Sequence, residues 1–244
     1  MKYQPKPKFL YKKTILITGA GDGIGKEAAL TYASYGANLI LIGKKINNVK
    51  KTKKIINKKF KVNVEIYSLN FLKLTNVQAK KLVKKIKKKY KYIDGLLHNA
   101  AILGEIKPII DYPIKTWYHV IQVNLHSSFI LTKNFLPLLL KAPQSSLIFT
   151  SSTVGKKGRA NWGAYSVSKF GIESLMQILS DEYKNTHLRV NCINPGKTQT
   201  KMRKKAFPKE NFLKNKTPNQ IMPIYLYLMS EDSIHISGLT LNAQ

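Results

Sequence analysis

A short apolar run, Thr14-Ile15-Leu16-Ile17, passes without a break into Thr18-Gly19-Ala20-Gly21-Asp22-Gly23-Ile24-Gly25, and a helical pattern then continues to about Tyr35. No other feature limits the fold as strongly. β-Branched residues favour an extended strand, and glycines allow the chain to reverse in a tight turn. The order is therefore strand, glycine turn, helix. The rest of the chain repeats the alternation. Apolar runs at Leu39 to Ile42, Val62 to Tyr67, Ile93 to Leu97, Leu147 to Thr150 and Leu188 to Ile193 are separated by helix-length segments, and Gly238 to Leu241 adds a late strand.

Strands alternating with helices build a parallel sheet, because each crossover returns over one face of the sheet with right-handed sense. The expected fold class is α/β: a Rossmann-type doubly wound parallel sheet of about seven strands flanked by helices on both faces. No linker divides the chain, and 244 residues suit a single domain over residues 1–244. The one extended irregular region is Gly196 to Lys216, polar, basic and interrupted by Pro208. A loop of that length in a compact domain is read as a substrate loop near 196–216. Its Met202, Phe207 and Phe212 suit a lid.

No run of 18 apolar residues is present, and the start Met1-Lys2-Tyr3-Gln4-Pro5-Lys6 lacks the apolar core of a signal peptide. These features lead to an expectation of a cytoplasmic protein without membrane insertion. The single cysteine, Cys192, lies in an apolar run and suits core packing. The formal net charge of +30 invites a polyanion reading. Only Arg159, Arg189 and Arg203 are arginines, however, whereas base-edge and bidentate phosphate contacts favour the guanidinium fork. Between Lys44 and Lys91 the lysines fall mainly on two polar helix faces. Solvated faces account for them, so no specific nucleic-acid partner is expected.

The chemistry is carried by Ser152, Tyr165 and Lys169. A phenol titrates near 10 and is a weak acid or base at neutral pH, so a nearby cation is needed to make it a proton carrier. Tyr165 and Lys169 are four apart in a segment, Ala164 to Lys184, that reads as helix, so both project from one face. Ser152 follows an apolar strand-like run thirteen residues upstream and supplies a hydrogen-bond donor. A donor, a proton carrier and a cation describe carbonyl and alcohol redox chemistry. In a chain this rich in lysine the Tyr-x-x-x-Lys spacing alone is weak. Its weight comes from the glycine turn at the other end of the pattern, whose missing side chains let a pyrophosphate approach the backbone and the helix dipole.

Thr18-Gly19-x-x-x-Gly23-x-Gly25, Asn99-Ala100, Asn124, Ser152, Tyr165-x-x-x-Lys169 and Asn194-Pro195-Gly196 together resemble the short-chain dehydrogenase/reductase superfamily over essentially the whole chain. More narrowly, Arg159 to Tyr165, Arg189 to Gly196 and the ending Leu241-Asn242-Ala243-Gln244 are similar to the YciK oxidoreductases of enteric bacteria. The resemblance implies that Tyr165 exchanges a proton with the substrate oxygen and that Ser152 orients that oxygen. It also implies that Lys169 holds the nicotinamide ribose and stabilises the tyrosinate, while Asn124 positions a water. The implied cofactor-binding residues are Thr18, Gly19, Gly21, Asp22, Gly23, Ile24, Gly25, Lys44, Asn70, Asn99, Ala100, Tyr165, Lys169, Pro195, Gly196, Thr198 and Thr200.

NAD-preferring relatives place an acid at the end of the second strand, where this chain has Gly43-Lys44-Lys45. With no carboxylate to repel a 2′-phosphate, NADP is favoured and NAD less so. Two departures bear on affinity. Ala101 stands where the family has the last glycine of Asn-Ala-Gly, and Asn70 replaces the aspartate that meets adenine. No cluster has metal-ligand spacing, so no metal is expected. By the same resemblance, helices around Lys115 to Leu140 and Gly163 to Tyr183 pair across two-fold axes, giving a homodimer or homotetramer. Two other classes stay open: a cofactor-binding regulatory or scaffold protein without turnover, and an electrostatic binder of nucleic acid or membrane surfaces.

Overall fold

The computed structural model describes residues 3–244, so Met1 and Lys2 of the polar start lie outside the described residues. Seven strands form one parallel sheet: β1 (Thr14–Thr18), β2 (Asn38–Gly43), β3 (Val64–Ser68), β4 (Gly95–His98), β5 (Ser145–Thr150), β6 (Leu188–Asn194) and β7 (Thr240–Asn242). The spatial order is β3-β2-β1-β4-β5-β6-β7. The expected doubly wound fold is therefore present, and every run read as a strand is one.

The period-2 alternation of side chains decides which layer each residue joins. Ile15, Ile17, Leu39 and Leu41 face one core, shared with α1 (Gly23–Ser34), α2 (Ile46–Lys59) and α8 (Met222–Met229). Leu16, Ile40, Ile42, Leu96 and Leu147 face the other. That second core is closed by α3 (Asn76–Lys87), α5 (Ser127–Leu139) and α6 (Gly163–Glu182). Cys192 is buried there as a free thiol. In α2 the buried positions are Val49, Thr52 and Ile56, and in α3 they are Ala79, Leu82 and Ile86. The lysines of both helices lie away from these buried positions.

Two local structures were not visible in the sequence. Helix α4 (Ile114–Ile121) runs into α5 through a π-helical turn over Gln122–His126. Such turns are rare and concentrate at functional sites. The 196–216 region is also more ordered than its composition suggested: α7 spans Lys201–Ala206, capped by Thr200, and a parallel bridge joins Thr198 to Lys216. Arg203 and Asn215 both bond the Glu210 carboxylate, which the adjacent guanidinium holds down to about 2.

His98, at the end of β4, is buried, stacks on Phe149 at 5.0 Å and bonds Thr132 Oγ1 at 2.9 Å. Burial, with the Lys169 cation adding to it, pushes the imidazole from its ordinary 6.5 down to about 3. The unfolded chain therefore takes up a proton that the folded chain refuses. Stability contributed by neutral His98 is complete above pH 6.5 and is lost as the pH falls toward 3. Between about pH 6.5 and 5, one such group costs on the order of 1–2 kcal/mol. Urea titrations at several pH values should show this slope, and His98→Asn should flatten it; an unchanged slope would assign the acid sensitivity elsewhere.

Candidate functional site

Strand order reverses direction between β1 and β4, and the carboxyl ends of β1, β4, β5 and β6 open there into one cavity of about 890 Å³. A crevice at this switch point is where open parallel sheets leave room for a ligand, because the loops on its two sides diverge. Lys44 and Asn70 line one end, Gly19 and Ala100 the middle, and Ser152, Tyr165 and Lys169 the other end.

The glycine turn is built by sterics. Gly19 and Gly23 have φ of +70° and +52°, a region that side chains disfavour. Gly25 has a different constraint: a Cβ there would overlap the Gly19 carbonyl oxygen and lie 2.5 Å from Asn99 Nδ2. A Cβ on Gly21 would meet Asn48 Cβ at 2.9 Å, so that glycine lets the turn pack against the start of α2. Thr18 is buried, its hydroxyl accepting from Asn99 N at 3.0 Å and Ala100 N at 3.1 Å. Thr18, Gly21 and Gly25, read from the sequence as cofactor-binding, are thus absent from the cavity wall. They shape it from behind, because their size and bonds fix the loops that face it. The others in that group, Gly19, Asp22, Gly23, Ile24, Lys44, Asn70, Asn99, Ala100, Tyr165, Lys169, Pro195, Gly196, Thr198 and Thr200, all line the cavity.

Asp22 caps α1 by accepting from Gly23 N at 2.9 Å, and it pairs with Lys201 Nζ at 2.7 Å. The pair ties α7 to the glycine turn and holds the Asp22 carboxyl below its ordinary range. On the far side of the mouth, Lys205 reaches Gly104 O at 3.3 Å. Phe207 packs on Trp162 at 5.6 Å, which in turn lies 5.7 Å from Tyr165. The 196–216 segment therefore roofs the catalytic end with apolar groups.

Tyr165 and Lys169 sit one turn apart on α6, both buried, and Lys169 Nζ lies 5.7 Å from the Tyr165 ring centroid. Ser152 is half-buried after β5, its oxygen accepting from Val154 N at 3.4 Å, which leaves its hydrogen free to donate. Burial pushes the Tyr165 phenol up to about 12, with Ser152 pulling the other way. The Lys169 ammonium donates to Thr150 O at 2.7 Å, and burial lowers it to about 8. Asn124 lies in the π turn behind the wall. Its amide accepts from Ile102 N at 2.8 Å and donates to Ile102 O and Ser168 Oγ at 2.9 and 3.0 Å. A water positioned by Asn124 would have to sit on its main chain, since the side chain is committed.

A dinucleotide fits this cavity: a cationic end, a middle of close backbone, and an apolar end carrying the proton carrier. His119, Trp162 and the Arg203–Glu210 pair also line it and were missed by sequence reasoning. So was Glu173, buried one turn beyond Lys169. Its signal was available, since Tyr165, Lys169 and Glu173 follow at i, i+4 and i+8.

A family model described as short chain dehydrogenase matches residues 13–211. The chain is 48% identical to the oxidoreductase YciK of Escherichia coli (strain K12), over all of this chain and 96% of that one. A short chain dehydrogenase of Shigella flexneri 2a complexed with NADP superposes with a TM-score of 0.96 at 47% identity, covering 98% of this chain and 100% of that one. One from Escherichia coli CFT073 complexed with NADPH gives 0.96 at 48% identity, with the same coverage.

Proposed function

Because the chain belongs to the short chain dehydrogenase family of oxidoreductases, we propose that it interconverts a carbonyl and a secondary alcohol with NADP(H), using Tyr165 as general acid and base. The observation that carries this reading is the convergence of Ser152, Tyr165 and Lys169 at the apolar end of a cavity whose other end holds Lys44. When bound, the nicotinamide would supply the hydride that the substrate carbon accepts in reduction, and in its oxidised form would accept the hydride that the carbon gives up in oxidation. In reduction, Tyr165 gives its hydroxyl proton to the carbonyl oxygen, and Ser152 donates a hydrogen bond to the same oxygen as charge develops there. In oxidation the proton returns from the alcohol to Tyr165. Lys169 turns from Thr150 O to the ribose, and Asn124 fixes Ile102 at the wall. Trp162, Met202 and Phe207 exclude water from the exchange.

Phe129, Val167, Phe170 and Ile178 remain exposed on α5 and α6, which supports pairing of copies as a homodimer or homotetramer. A single domain and a cytoplasmic, reducing setting suit one shared sheet and a free buried thiol. Among the described residues no helix is long and apolar enough to cross a membrane. A scaffold without turnover remains the alternative. An NADPH-consumption assay against a panel of carbonyls separates the two: turnover that vanishes with loss of Tyr165 supports the enzyme, whereas tight NADPH binding with no turnover on any carbonyl or alcohol supports the scaffold.

NADP preference is supported by Lys44 at the cavity end and by α2, which begins with no side-chain cap and no acid in its first turn. Lys44 is exposed, which moderates its contribution. Lys44→Ala should weaken NADPH about tenfold and NADH hardly at all. Equal effects in fluorescence titrations would make Lys44 one more surface charge. Gly43→Asp is the less clean test, since a Cβ there would lie 2.7 Å from Val49 Cγ2 and push on α2 as well as repel phosphate.

A further inference from the structure

Lysine is the default cation of this chain: all but three of its 42 Lys and Arg residues are Lys. An arginine kept against that bias marks a place where a planar fork binds what a point charge does not. Two of the three use the fork within the chain. Arg189 is buried and donates to the carbonyls of Leu228, Ser230 and Ser233, and Arg203 holds the Glu210 carboxylate through Nε and Nη2. Arg159 is the third. It lines the cavity and is exposed, and its guanidinium has no hydrogen-bond or ion-pair partner among the described residues. Its backbone is nevertheless fixed at the catalytic end. Arg159 O accepts from Trp162 N at 3.3 Å, closing a turn in which Asn161 has φ of +72° and accepts from Lys107 N at 3.0 Å through its carbonyl. The Trp162 ring that ends this turn lies 5.7 Å from that of Tyr165. The carboxylates on the cavity wall are committed elsewhere, Asp22 to Lys201 and Glu210 to Arg203 and Asn215.

We propose that Arg159 determines specificity and that the substrate is an anionic carbonyl compound: an apolar chain bearing an oxyanion, carboxylate or phosphate, that the guanidinium binds through two parallel hydrogen bonds. The inference rests on the carbonyl–alcohol reading above and narrows it. Leu103, Val154, Trp162, Met202 and Phe207 give the chain an apolar wall, and Ser152 and Tyr165 receive its reacting oxygen. Arg159 takes the other end of the molecule. At Arg203 an incoming oxyanion would first have to displace Glu210, whereas at Arg159 no bond within the chain is broken. The gain from a charge-assisted bond is therefore not offset there. Lys197 and Lys201 on the same wall carry the same sign, so an anion is also drawn towards the mouth. A neutral substrate gains from neither.

Oxo-octanoates with the ketone at successive carbons, their methyl esters and the matching oxo-octyl phosphates, each followed by NADPH consumption, test this. An anionic ketone should exceed its neutral ester in kcat/KM by about tenfold, the low end for a charge-assisted bond because Arg159 is exposed. The acid compared with the phosphate names the oxyanion. Arg159→Gln should abolish the preference through a rise in KM for the anionic ketone, and should leave NADPH affinity and the melting temperature unchanged, since the side chain bonds nothing within the chain. Arg159→Lys, with the charge but not the fork, should recover only part of it. Lys157→Gln removes a charge from the same loop but off the cavity wall, and should keep the preference. Octanoate, which has no ketone, gives a readout without turnover: calorimetry should show it binding the NADPH-loaded chain and not the Arg159→Gln variant. An ester reduced as fast as its acid and phosphate, or a preference that survives in Arg159→Gln, overturns the assignment and leaves the redox reading standing. No turnover of any ketone with NADPH bound sinks the redox reading first, and this role with it.

Discussion

Replacing Tyr165 by Phe should lower turnover of a validated carbonyl substrate by about 10²–10⁴-fold while leaving the fold and NADPH binding close to those of the unsubstituted chain. The ring is anchored by packing against Leu103, Val154 and Ala164, and by Trp162 at 5.7 Å, contacts that a phenyl ring keeps. Lys169 donates to Thr150 O and does not bond the phenol oxygen, so removing that oxygen leaves the lysine able to reach the ribose. The substitution removes only the oxygen that exchanges the proton. A mild packing change would cost far less.

The pH dependence follows from the same environment. With the phenol pushed up to about 12 by burial, the hydroxyl form dominates across the neutral range, so the acid needed for reduction is always present. Reduction should change little between about pH 6 and 8, whereas oxidation, which needs the deprotonated oxygen, should rise with pH. Near-unchanged reduction by the Phe variant would remove Tyr165 from the mechanism. A reduction rate that rises steeply with pH would mean that the oxygen is already ionised in the working complex.

What could be read from the sequence and what could not divide along a physical line. Strands such as Leu39 to Ile42 are legible because burial on both faces demands an unbroken apolar run, and the glycine turn because only glycine meets its backbone demands. Lys169 and Tyr165 were placed together correctly because helix geometry fixes i, i+4 neighbours. Their electrostatics were not legible, since the lysine's bond to Thr150 O and the burial of the phenol depend on strands far away in sequence. The same holds for α7: the Asp22–Lys201 and Arg203–Glu210 pairs that order the 196–216 segment join residues with no local signal. The π turn at Asn124 has no local signal either, since Gln122–His126 contains no glycine or proline that forbids an ordinary helix.

Gly25→Ala should weaken NADPH binding by about 10²-fold, although the same change is harmless at most exposed helical positions. The added methyl would overlap the Gly19 carbonyl oxygen and press on Asn99 Nδ2 at 2.5 Å. The Asn99 amide can turn aside, but the Gly19 carbonyl is the backbone of the turn itself, so relief requires α1 to move away from the turn. That motion displaces Gly23 and Ile24 from the wall and the helix start from any pyrophosphate placed there. Overpacking of this kind also costs about 1–3 kcal/mol of stability, so the variant should melt earlier while remaining folded. Gly158→Ala is the matched control, since a Cβ there meets nothing within 4 Å. Fluorescence titration of both variants with NADPH decides the matter. If Gly25→Ala binds as tightly as Gly158→Ala, helix α1 can retreat without moving the cradle, and close helix–turn packing is not what makes this turn a dinucleotide site.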